Sequence, residues 1–117
     1  MNASHVVTSS RLAALSLLFL SFLGPTLFAS TAFIRADFNG DGAHDIADPV
    51  RVLGHLFLET PREPGCLDAG DANDDGLLDV SDPLYSLGAL FLGWPQPEAP
   101  YPACGLDPTP DDLSCER

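Results

Sequence analysis

Two segments of the chain carry the same rhythm of apolar and polar positions. From Val50, apolar residues recur at Leu53, Leu56 and Phe57, spacings of three and four that gather them on one helical face. Leu84, Leu87, Leu90 and Phe91 repeat the pattern 34 positions later. Each predicted helix has a proline in its first turn, Pro49 or Pro83, where a missing N–H leaves no bond unmade. Asp48 and Asp82 stand where a side chain can cap that turn. Gly93 is placed to end the second helix, and Pro61 bars the first from running far past Thr60. Helices of about ten residues do not hold alone in water, so the two apolar stripes are expected to face each other. Gly54 and Gly88 each cost about 1 kcal/mol relative to alanine, and their repetition suggests that they permit close helix–helix approach.

Ahead of each helix the pattern turns polar. Residues 37 to 48 read DFNGDGAHDIAD, and residues 71 to 82 read DANDDGLLDVSD. The match extends over 36–58 against 70–92, sharing Asp-Pro, Leu-Gly and Leu-Phe-Leu at equivalent places, which marks an internal duplication. Between the copies lies ETPREPGCLDA, and after the second lies GWPQPEAPYPACGLDPTPDD. Both are proline-rich and are read as a connector and a tail rather than helices. DPTPDD, from Asp107, faintly resembles the start of another acidic loop, but without its glycine it is read as tail. Trp94 and Tyr101 could stack on a sugar, but are expected to fold back over a small core.

So much like charge in one turn needs a cation. A hard Ca²⁺ ion takes six to eight oxygens, supplied in an EF-hand loop from positions 1, 3, 5, 7 (a backbone carbonyl), 9 and 12. The first loop offers Asp37, Asn39, Asp41, the carbonyl of Ala43, Asp45 and Asp48; the second offers Asp71, Asn73, Asp75, the carbonyl of Leu77, Asp79 and Asp82. Gly42 and Gly76 occupy position 6, where the sharp turn needs glycine. Two calcium ions are therefore expected. Position 12 is Asp, one methylene shorter than the usual Glu, so bidentate contact requires the helix to sit closer to the metal. His44, at position 8 of the first loop, is read as a partly exposed bystander.

Composition narrows the partners. The chain has 117 residues, 17 acids against 5 arginines with no lysine, and a net charge of −12. Phosphate binding needs clustered Lys and Arg, so nucleic acid is excluded as a partner, and an anionic membrane is disfavoured. The N-terminus holds one arginine, Arg11, then LAALSLLFLSFL at 12–23 and small residues at Ala29 to Ala32. That is the layout of a secretory signal peptide, assigned to residues 1–32, which implies a secreted or cell-surface protein without a membrane anchor after cleavage. In an oxidising compartment Cys66, Cys104 and Cys115 give one disulfide and one free thiol. The Cys104–Cys115 pairing, closest in sequence, is the one expected, with Cys66 to either left open. No Ser-His-Asp order, HExxH or phosphate loop is present, and the clustered carboxylates are committed to the loops, so the chain is not read as an enzyme.

Two acidic loops, each followed by one helix with no entering helix and closing on Asp, resemble a type I dockerin domain across about residues 36–93. The resemblance implies a small all-α fold of two calcium loop–helix units packed antiparallel, here spanning 33–93, with 94–117 a proline- and cysteine-rich tail. It further implies docking to a cohesin-like or other extracellular protein, often in polysaccharide-degrading or cell-surface assemblies. Loop positions 10 and 11, which contact the partner in that family, are Ile46-Ala47 and Val80-Ser81, and Arg51 is the basic residue nearest on the helix. Only Ser81 keeps a hydroxyl, so a more apolar contact surface is expected. The competing reading is a calcium-stabilised spacer or surface-layer unit with no receptor.

Overall fold

The computed structural model describes residues 31–59 and 64–115. The signal segment, apart from its last two residues, and the Pro61 stop lie outside the described residues. Among the described residues all regular secondary structure is helical: α1 at Ala47–Phe57, a 3-10 turn at Asp68–Gly70, and α2 at Ser81–Phe91. The two α-helices pack on each other, and α1 also meets the 3-10 turn. Both follow their acidic loops as the periodicity predicts. Gly93 ends α2 with φ at 72°, letting the Leu92 and Trp94 N–H groups both return to the Gly88 carbonyl, at 2.9 and 3.2 Å.

The rotation of the helices differs from the expected one. Val50, Phe57, Leu84 and Phe91 are exposed, whereas Pro49, Val52, Pro83, Ser86 and Ala89 are buried. The cause is the loop ahead of each helix. Asp48 and Asp82 do not cap their helices but point back into the loops, their Oδ2 atoms accepting from the Asp45 and Asp79 N–H groups at 2.9 and 2.8 Å. With Asp48 turned inward, Val50 and Phe57 fall about 200° and about 180° around the helix, because each residue advances roughly 100°. Small and proline residues therefore make the contact, and the large apolar side chains face outward. The helix caps come instead from Asp45 and Asp79, whose Oδ1 atoms accept from the Ala47 and Ser81 N–H groups at 2.8 and 2.7 Å.

Gly88 serves a different purpose from the expected helix contact. A Cβ there would fall inside the Trp94 indole, which lies back over α2. Tyr101 follows suit, its hydroxyl donating to Gln96 Oε1 at 2.9 Å and its ring meeting His44 edge-on. His44 is no bystander: its Nε2 lies 2.6 Å from Ser86 Oγ, joining the first loop to α2.

The C-terminal segment is knitted into the body. Phe33 and Gly105 exchange both backbone hydrogen bonds, at 2.9 and 3.0 Å, the Arg35 N–H reaches the Pro100 carbonyl at 2.7 Å, and Leu67 donates to Ser114 at 2.8 Å. That last bond pairs Cys66 with Cys115 rather than Cys104 with Cys115. The expected pairing fails because the chain past Gly105 turns away to run beside Leu67, leaving Cys104 exposed and free. Cys66 and Cys115 then pack with Phe33 and Ala69 as a small core.

Arg35 sits at the junction, fully buried. Its Nη2 donates to Asp107 Oδ1 at 2.8 Å and lies 3.1 Å from Asp74 Oδ1. Nη1 donates to the Asp71 carbonyl at 3.0 Å, Nε to the Ala99 carbonyl at 3.2 Å, and the Phe33 ring lies 5.5 Å from the guanidinium carbon. One side chain thus ties the segment before the first loop, the second loop and the C-terminal segment.

The disulfide closes a span of 49 residues, so in the chain-entropy view its loss costs about 4 kcal/mol. Cys66→Ala or Cys115→Ala is expected to lower Tm strongly in the calcium-loaded protein, while Cys104→Ala leaves it unchanged. Differential scanning calorimetry of the three variants checks the pairing.

Candidate metal centre

The two loops share one backbone design. Position 4 has positive φ in both, 73° at Gly40 and 58° at Asp74, and so does position 6, 88° at Gly42 and 79° at Gly76. Glycine adopts this region freely, and Asp tolerates it. The turns aim successive N–H groups at the position 1 carboxylate. Asp37 Oδ1 accepts from Gly40 and Asp41 at 3.0 and 3.1 Å, and its Oδ2 from Gly42 at 2.9 Å. Asp71 accepts from Asp75 at 3.1 Å and Gly76 at 2.8 Å. Asn39 and Asn73 accept from Asp41 and Asp75, and these in turn from Ala43 and Leu77. Side chains at positions 1, 3, 5 and 12 thereby turn toward the inside of the loop.

Convergence differs between the copies. In the second loop Asp71, Asp75 and Asp82 each bring an oxygen within 4.8 Å of one another. In the first, Asp37, Asp41 and Asp48 form no such group, and Asp48 Oδ1 accepts from the Asn39 N–H at 3.1 Å, a bond its counterpart Asp82 lacks. Asp45 and Asp79 at position 9 are exposed and hold the helix starts. Ala43 and Leu77 at position 7 are also exposed, and their N–H groups bond within the loops.

The electrostatics favour a cation in both. Asp37, Asp48, Asp71 and Asp82 are all buried, yet among the described residues every ion pair is made by Arg35, and none reaches these four side chains. Asp82 Oδ1 is buried with no hydrogen-bond partner, an arrangement that costs free energy unless something positive meets it. Burial pushes Asp48 up to about 6, only partly offset by the hydrogen bonds from Asp45 and Asn39. Burial also raises Asp71 and Asp82, and Asp71 adds repulsion on Asp82. An all-oxygen donor set without His or Cys suits a hard ion of the calcium or magnesium kind. The residues present fit that group, which would supply positive charge and cross-linking.

Of the expected partner-contacting residues, Ile46, Ala47 and Val80 are exposed. Ser81 is turned to its own loop, where its hydroxyl donates to Asp79 Oδ1 at 2.6 Å and accepts from Asn73 Nδ2 at 3.0 Å. Arg51 is half-buried. Sequence reasoning missed Arg35 and the acids around it, Asp68, Asp74 and Asp107. A lone cation immediately before so acidic a repeat was the available signal.

No protein-family model, curated protein or solved structure matches the chain.

In metal-free protein Asp48 holds its proton more tightly folded than unfolded, where an aspartate titrates near 4. Its contribution to stability is therefore present below about pH 4 and lost as pH rises to about 6. Calcium needs the carboxylate, so bound metal reverses the slope. Thermal melts in chelator are expected to give a higher Tm at pH 5 than at pH 7, and melts in millimolar calcium the opposite order. Asp48→Asn should flatten the chelator-state slope.

Proposed function

We propose that this chain is a secreted, calcium-folded, dockerin-like module with no catalytic role, which docks to an extracellular protein of the cohesin-like kind. The observation that carries the docking is a duplicated apolar surface. Ile46, Val50, Phe57 and Leu58 are exposed in the first repeat, and their equivalents Val80, Leu84, Phe91 and Leu92 are exposed in the second. Eight large apolar side chains left in water at matching positions are what a contact face requires. The loops set this face, because the inward-turned Asp48 and Asp82 fix which side of each helix looks out.

The chemistry of the partner follows from charge. A net charge of −12 makes association of two copies through these faces unfavourable at low salt. The fitting partner presents an apolar groove rimmed by Lys and Arg. Arg51 and His55 are the only basic residues on the two helices, so the partner supplies the positive side of the contact.

The calcium part is tested by far-UV circular dichroism. Helicity should fall on adding chelator and return with calcium, since two helices of 11 residues each do not hold alone. Unchanged helicity would remove the metal from the folding account.

Docking is tested by immobilising the calcium-loaded chain and a Phe57→Glu/Phe91→Glu variant and exposing both to culture fluid of the source cells. The expected result is a saturable partner that is lost with the variant, lost with chelator and weakened by salt. Equal recovery on both overturns this face as the contact, and no saturable partner on either favours a spacer without a receptor.

A further inference from the structure

Beyond the second loop another set of carboxylates comes together. Asp68 of the 3-10 turn, Asp71 at the head of the loop and Asp111 of the C-terminal segment each place an oxygen within 4.8 Å of the others. Three oxygens so spaced can share one hard cation, whose bonds run about 2.3–2.6 Å, with small side-chain adjustment. Asp111 is brought there by the return of the C-terminal segment. Its Cβ lies 3.4 Å from where a Cβ on Gly76 would stand, and its Oδ1 accepts from the Leu113 N–H at 2.8 Å. Asp68 and Asp111 line the same open cavity of about 420 Å³, with Phe33, Asp107 and Thr109.

Acid clusters are common on so acidic a protein. What sets this one apart is Asp68. It is 4% exposed, and its Oδ1 is buried with no hydrogen-bond partner. The nearest cation, Arg35 Nη1, lies 3.5 Å away and already donates to the Asp71 carbonyl at 3.0 Å, so it does not satisfy that oxygen. Asp74 and Asp107 take the other end of the guanidinium, leaving Asp68, Asp71 and Asp111 without a full counter-charge.

We propose that Asp68, Asp71 and Asp111 form a third divalent-cation site, of calcium type, which shares Asp71 with the second loop and is closed by the C-terminal segment. It rests on the reading of that loop as a calcium loop. Three carboxylates without a nitrogen or sulfur donor select a hard ion over zinc or copper. Arg35 and the neighbouring loop ion both repel a cation here, so this site fills last, at affinities of about 10⁻⁴–10⁻³ M, a range open to extracellular modules. Its occupation would fasten the C-terminal segment to the second loop, next to the Cys66–Cys115 disulfide.

Calorimetric titration of the full, disulfide-bonded chain with calcium tests this. The wild type should take up three ions and Asp111→Asn two. Asparagine keeps an oxygen for the Leu113 N–H, so this exposed position should tolerate the change, with circular dichroism as the check on folding. Asp68→Asn should give the same loss of one ion. A wild-type count of two overturns the third site while leaving the loops as calcium sites. So does a variant that weakens one of two ions without changing the count, because Asp111 would then serve the loop ion. No uptake at all overturns both readings.

Discussion

Buried negative charge without matching positive charge is the constraint on which the rest of the structure depends. Four loop carboxylates are buried at the position 1 and position 12 places of the two repeats. Ionised carboxylates taken out of water are expensive unless paired. Among the described residues the only buried arginine, Arg35, is already surrounded by Asp68, Asp74 and Asp107. Its Nη1 does reach the second loop, but through the Asp71 carbonyl rather than the carboxylate. Among the described residues no arginine reaches the first loop, and in the second Asp82 Oδ1 is left without a hydrogen-bond partner.

That constraint shapes the helices as well as the loops. An aspartate at position 12 must turn into its loop, and doing so fixes the rotation of the helix that begins there. Pro49, Val52, Pro83, Ser86 and Ala89 are consequently inside. These side chains are small, and small contacts bury little apolar area, so the helix pair is weakly held by its own interface. The other supports are a disulfide and one buried guanidinium, to which the proposed metal would add, the usual aids of domains too small for a large core. The same rotation that weakens the inside leaves Phe57, Leu58, Phe91 and Leu92 outside, available to a partner.

The C-terminal segment unites these supports. Through Gly105, Ser114 and Cys115 it pairs with segments far away in sequence, and through Asp107 it fills one side of the Arg35 cage. Thr109 holds two of the cage acids in place, its hydroxyl lying 2.6 Å from Asp74 Oδ1 and 2.7 Å from Asp107 Oδ1. A segment that looks from composition like a loose proline-rich tail is thus a third wall of the molecule.

What the sequence determined by itself is the repeated local chemistry. The spacing of Asp, Asn and Gly is enough to place the turns, because the hydrogen bonds made within each loop join residues no more than nine apart, as from Asn39 to Asp48. The helix starts and the Gly93 stop are local for the same reason. Tertiary structure alone decided which helix faces are buried, which cysteine pairs with Cys115, and that Arg35 gathers acids up to 72 residues away. The last two outcomes depend on how the C-terminal segment returns across the body. Apolar periodicity carries no information on that path, since the inward side of each helix was chosen by a buried charge and not by its most hydrophobic stripe.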